Sequence, residues 1–172
     1  LGGANPYLDP ESLRRQKELI VAVVERFKDV PYLLWDLINE PSFSNPRKLW
    51  RTRPNGDVHE LQAWNEWLNT RYPNRGAMSQ AWNSVPIPNS MPVPLPEEEE
   101  FSSRAAHQTA RGRNSLKVYD YYLFSQIQFL RWVEELRRAI RATGSRQLIT
   151  VGQDEGGGGD RPSPAFFGEA VD

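Results

Sequence analysis

Between Pro31 and Pro41 runs Tyr32-Leu33-Leu34-Trp35-Asp36-Leu37-Ile38-Asn39-Glu40, and no other stretch narrows the choice of fold as far. Its apolar part is too short for a helix of ordinary length and is bounded by prolines, so it reads as a strand buried on both faces. Strands of that kind belong to parallel sheets covered by helices. In such sheets the loops at the carboxyl ends of the strands carry the chemistry, which puts Asn39 and Glu40 where a reactive group is expected. Pro41 has no N–H to give to a ladder and helps end the strand.

A carboxyl at the rim of a sheet, close in sequence to Trp35, Leu37 and Ile38, is open to partial desolvation, which favours the neutral, proton-donating form. A general acid working near neutral pH needs that form. The Asn39 amide adds two donors and an acceptor without a charge, which suits a polyhydroxylated ligand. Strict alternation sends residues 39 and 40 to opposite faces, so both reach one site only if the strand twists or bulges at its end. The competing reading is a solvated Glu-Pro at a loop entrance.

Trp35-Asp36-Leu37-Ile38-Asn39-Glu40-Pro41 resembles the Asn-Glu-Pro signature on the fourth strand of clan A glycoside hydrolases, barrel enzymes that include cellulases, β-mannanases and β-galactosidases. The resemblance implies that Glu40 is the acid/base and that Asn39 holds the sugar hydroxyl next to the scissile bond. A complete eight-stranded barrel needs roughly 250 residues. The 172 residues here are therefore expected to be part of a larger catalytic domain: a partial (β/α)8 TIM barrel of the α/β class, from about the third helix to the fifth strand.

Around that strand the chain reads in order. Asp9 and Pro10 cap and open a helix that ends near Lys28-Asp29, with Leu13, Ile20, Val24 and Phe27 at helical spacing. If the segment before it follows a third strand, Asn5 and Tyr7 line the same rim as Glu40. Residues 42–113 read as an insertion. Within it, Arg47, Lys48, Arg51 and Arg53 lack a glycine-rich phosphate cradle and are expected to be solvated or acid-paired. Asp57 and Glu60 form a capping-box pattern ahead of a helix carrying Leu61, Trp64 and Leu68, and a short helix follows at about Gly76 to Trp82. Trp64-Asn65-Glu66-Trp67-Leu68 with Tyr72, then Ala81-Trp82, is similar to an insertion in β-galactosidase-like members of the clan; packing accounts for at least two of the three tryptophans.

The five prolines between Val85 and Glu100 exclude helix and predict an extended segment. Glu97 to Glu100 cannot converge on one ion from an extended chain and read as a solvated face. His59 and His107 have no histidine at ligand spacing. The longest helix is predicted from Asn114 or Ser115 to about Thr143, stopped by Gly144, with a buried stripe of Tyr119, Leu123, Ile127, Leu130, Val133 and Ile140. Glu134, Arg137, Arg138 and Arg141 are set for water. Gln147 to Gly152 reads as a second buried strand, with Gln153, Asp154 and Glu155 at its carboxyl end. Phe166 and Phe167 begin a short helix or turn.

The expected function is hydrolysis of β-linked glycosides with retention, Glu40 acting first as acid and then as base on water. In the clan the nucleophile comes from the seventh strand, which places it outside these residues. Trp35, Tyr7, Asn39, Gln153, Asp154 and Glu155 are the expected substrate contacts, and the partners are an oligosaccharide or polysaccharide and the remainder of the barrel. A noncatalytic carbohydrate-binding barrel is the alternative. No cofactor or metal is implied, and without cysteine there is no disulfide or thiolate site. A formal net charge of −1 gives no footprint for nucleic acid or an anionic membrane. Compartment stays open between secreted, periplasmic and cytoplasmic. Two strands without barrel neighbours should expose apolar surface and open edges, and the chain alone is expected to be inactive.

Overall fold

A parallel pair of strands carries the fold: β1 (Trp35–Asn39) and β2 (Ile149–Gly152), hydrogen-bonded side by side in a two-stranded sheet. The computed structural model describes residues 5–41, 43, 52–101, 115–152 and 162–172. Helices α1 (Pro10–Phe27), α2 (Val58–Arg71), α3 (Arg75–Ala81), α4 (Ser115–Ala142) and α5 (Pro164–Phe167) complete the regular structure, with short 3₁₀ turns at Glu98–Phe101 and Gly168–Ala170. The chain divides into two compact units, one formed by Leu1–Thr52 and Ser125–Asp172, the other by Arg53–Phe124. The second unit thus takes in the first turns of α4 as well as much of the expected insertion.

In the first unit, α1 starts where Asp9 accepts the Glu11 N–H at 3.0 Å and Pro10 fills the first helical position. Val24, Ile140 and Ile149 are fully buried together, with Ile20, Trp35 and Leu37 packed against them. α1 and the far half of α4 therefore cover one face of the sheet. Polar links fix the same packing: Trp132 Nε1 donates to Gln16 at 2.9 Å and Lys17 pairs with Glu135 at 3.0 Å. Gly144, at φ +83°, adopts the left-handed conformation that ends α4. The Gln147 amide then donates to the carbonyls of Phe27 and Val30 at 2.9 and 2.7 Å, tying the entrance of β2 to the end of α1.

Both strands are shorter than expected, and burial on both faces is not found. Tyr32 is 92% exposed, Leu34 53% and Leu148 60%, all at the amino ends of the strands. Helices cover one face of the pair, and on the other Asp36 and Asn39 are exposed while Thr150 is half-buried.

Val133 and Ile140 of the stripe expected on α4 are fully buried, while its amino-terminal half differs in phase. Tyr121, Phe124, Phe129, Trp132, Leu136 and Ile140 are buried, whereas Tyr119 is 57% exposed. Aromatic and aliphatic residues occur on adjoining strips of this helix, so a 3.6-residue period fits more than one rotation. Arg137 and Arg141, expected to face water, pair with Asp172, whose N–H donates to the Ile149 carbonyl and whose carboxylate accepts the Ile149 N–H.

In the second unit the Trp64 ring stacks on Trp67 and Trp82, with centroids 5.5 and 6.0 Å away, and meets Tyr121 and Phe124 edge-on. All three tryptophans are buried, in line with a packing role. From Val85 to Pro96 the chain contains no helix, a 3₁₀ turn starting only at Glu98, and the Asn65 side chain ties the stretch down by accepting the Val93 N–H at 2.8 Å. Glu97, Glu98 and Glu99 are exposed, as a solvated face requires, and Glu100 is half-buried. Glu98 pairs with Arg53 at 3.3 Å and Glu100 with Lys117 at 2.9 Å, because the 3₁₀ turn brings these carboxylates to buried cations.

Candidate functional site

At the carboxyl ends of the two strands the pairing slips. Asp36 is in register with Thr150 and Asn39 with Gly152, so the step along β1 is one residue longer than the step along β2. An extra residue of this kind is a bulge, which bends a strand and redirects its side chains. Ile149 and Val151 are buried with the helices, and so Thr150 and Gly152 point to the opposite face. A Cβ built on Gly152 would stand 2.8 Å from Asn39 Oδ1 and 2.8 Å from Asp36 Oδ2. Asn39 therefore shares a face with Asp36, whereas unbroken alternation would send it to the face of Trp35 and Leu37. The condition set by the sequence, a bulge at the strand end, is met.

Glu40 follows directly. Its N–H donates to the Gly152 carbonyl at 3.0 Å, continuing the ladder, and its φ is +50°. Among the described residues only Asn83 shares a positive φ without being glycine. Asparagine tolerates the left-handed region, whereas a longer side chain there is strained by roughly 1–2 kcal/mol. The residue is partly buried and leads into the buried Pro41.

Two other expected contacts lie elsewhere. Trp35 packs with the Val24–Ile140–Ile149 core on the helix-covered face, its Nε1 buried without a hydrogen-bond partner. Its position in strand alternation places it there. Tyr7 is buried in an aromatic cluster, stacked on Phe43 with centroids 5.0 Å apart and meeting Phe129 and Trp132 edge-on. The Asn5 side chain fixes this turn by accepting the Tyr7 and Leu8 N–H groups, both at 3.0 Å. Burial pushes the Tyr7 phenol well above its ordinary pKa, so it stays protonated, and its ring face is occupied by protein. Gln153, Asp154, Glu155, His107, Arg47, Lys48 and Arg51 lie outside the described residues.

Two features of the rim escaped the sequence reading. Asp36, the one charge inside the apolar run, accepts the Gly152 N–H through Oδ1 at 2.8 Å. Gly152 leaves room for the two polar side chains. The signals were available as a carboxylate where an aliphatic residue was expected and a glycine closing a β-branched run.

Other polar clusters are already committed. Fully buried Asp120 accepts from Trp82 Nε1 at 2.8 Å and from the Tyr72 hydroxyl, and pairs with Arg71 at 3.4 Å. Burial, then Asp120, push the Tyr72 phenol up to about 12. Fully buried Glu60 accepts from the Tyr121 hydroxyl at 2.6 Å and from the Gly56 N–H at 2.8 Å. Arg53 lies over the Phe101 ring, 4.3 Å from its centroid. A groove of about 480 Å³ lined by Leu130, Glu134, Arg137 and Phe166 contains Arg137 and Arg141, which are paired with Asp172. Among the described residues no group of three His, Cys, Asp or Glu side chains is arranged to hold a metal, and no helix is long and apolar enough to cross a membrane.

This geometry defines a class of place, a polar rim at the carboxyl ends of parallel strands with a carboxyl and an amide side by side in sequence. No protein-family model, curated protein or solved structure matches the chain.

Proposed function

We propose that this chain is part of the catalytic barrel of a retaining glycoside hydrolase acting on β-linked oligosaccharides or polysaccharides, with Glu40 as acid/base and Asn39 as the residue that holds the neighbouring sugar hydroxyl. The observation that carries the reading is the conformation of Glu40: a non-glycine residue at φ +50°, immediately after a bulge at the carboxyl end of a parallel strand. Strain of this kind persists where surrounding structure enforces it, and it concentrates at functional sites. The parallel pairing of β1 with β2 agrees with neighbouring barrel strands, and the Trp35 to Pro41 signature supplies the chemistry.

In the reaction Glu40 gives its proton to the leaving glycosidic oxygen while a nucleophilic carboxylate from a later barrel strand bonds to the anomeric carbon. Glu40 then takes a proton from the water that releases the glycosyl group. The two carboxyl groups of a retaining site stand about 5–5.5 Å apart.

Glu40→Gln in the full catalytic domain tests the assignment. Turnover of β-glycosides with poor leaving groups is expected to collapse, by about 100-fold or more for loss of a general acid, while activated aryl glycosides keep their first step. Equal loss on both substrates counts against the acid role, and oligosaccharide binding without turnover in the unaltered protein favours a binding barrel.

A further inference from the structure

We propose that Asp36 is a positioning residue, the anchor that holds the end of β1 so that Asn39 and Glu40 serve one site; this rests on the reading of Glu40 above. A bulge disrupts the ladder locally and leaves the strand end free to shift. Here Oδ1 of Asp36 accepts the Gly152 N–H at 2.8 Å, pinning the two strands across the slip. The other carboxylate oxygen and Asn39 Oδ1 each lie 2.8 Å from where a Cβ on residue 152 would stand. Asp36, Asn39 and Gly152 therefore form one fitted group, and the Gly152 carbonyl accepts the Glu40 N–H at 3.0 Å.

Core packing does not account for Asp36. It is exposed, on the face away from Val24, Ile140 and Ile149, where any polar residue would satisfy solvent. What singles out an aspartate is reach: a one-carbon stem puts an acceptor in the gap between adjacent strands. The group acts on the reaction through Asn39 and Glu40 and does not itself touch the substrate.

Three variants of the catalytic protein test this. Asp36→Ala is expected to lower kcat about 100-fold, the effect of a misplacement of about 1 Å, with KM moving little. Asp36→Asn keeps an acceptor at Oδ1 and restores most of kcat. Gly152→Ala crowds both side chains and reproduces the alanine defect. A residue that merely stabilised the sheet would lower the unfolding temperature and leave kcat of the folded enzyme in place. Unchanged kcat in D36A, or D36N as slow as D36A, overturns the proposal. Amide exchange at Gly152 supplies a readout independent of catalysis: it should speed up in D36A and hold at the wild-type rate in D36N. Equal protection in the wild type, D36A and D36N overturns the anchor whatever the activity, whereas a fully active E40Q overturns the reading of Glu40 and leaves the exchange result standing.

Discussion

The Tyr121 hydroxyl donates to Oε1 of Glu60 at 2.6 Å, and both side chains are fully buried. The second carboxylate oxygen accepts the Gly56 N–H at 2.8 Å, from the residue before the Asp57 cap. Burial outweighs these donors and pushes the Glu60 carboxyl up to about 7.

A carboxyl whose pKa is raised on folding favours the folded state while it is neutral. The stability linked to Glu60 is therefore fully present below the ordinary carboxylate value and is lost as pH rises through about 7. Glu60→Gln mimics the neutral form, its carbonyl accepting from Gly56 and its amide donating to the Tyr121 oxygen. Measured by denaturant unfolding, the variant should gain on the wild type by about 3 kcal/mol between pH 4 and pH 8. A difference that does not change with pH would show that Glu60 keeps its charge.

Two tryptophans in one stack should respond differently to loss of the indole N–H. Trp82 Nε1 donates to buried Asp120 at 2.8 Å, while Trp64 Nε1 is buried without a hydrogen-bond partner. Trp82→Phe leaves a buried carboxylate short of a donor, an added cost of about 1–3 kcal/mol beyond lost packing. Trp64→Phe removes an unsatisfied group along with ring area. Unfolding free energies of the two variants should therefore separate, with Trp82→Phe the less stable; the reverse order would reject this account of Asp120.

The backbone at Glu40 offers a test of strain. Replacing it with glycine releases about 1–2 kcal/mol of left-handed strain and gives back roughly 0.5–1 kcal/mol through a freer unfolded chain. Glu40→Gly should be more stable than wild type by about 0.5–1 kcal/mol in denaturant unfolding, and Glu40→Ala, which keeps the strain, should not. If the alanine variant matches the glycine variant, the left-handed conformation carries no cost.

Local chemistry made much of this fold readable. Asp9-Pro10 marked the start of α1, Asp57 that of α2, and Gly144 the stop after α4, because caps depend on residues adjacent in sequence. The bulge between Asp36 and Asn39 was foreseen only as a condition, since a slip in register is decided by the partner strand. Val133 and Ile140 fall on the buried stripe of α4 as expected, whereas its amino-terminal half differs in phase because Tyr119 and Tyr121 are equally good candidates until a neighbour chooses one. Glu60 was hidden for another reason: a capping box explains a glutamate completely and gives no cause to expect a fully buried one. At the candidate site the acid and amide were legible from the motif, while their supports, Asp36 and Gly152, are visible only across the sheet.

The uncovered leucines and tyrosine at the amino ends of β1 and β2 have a consequence for anyone handling this chain. Greasy surface at the end of a two-stranded sheet invites a second molecule to dock there, and crowding the solution makes the encounter more frequent. Light scattering should therefore rise with concentration, and replacing Leu34 and Leu148 with lysine should quiet it while leaving the rim at the other end of the strands untouched.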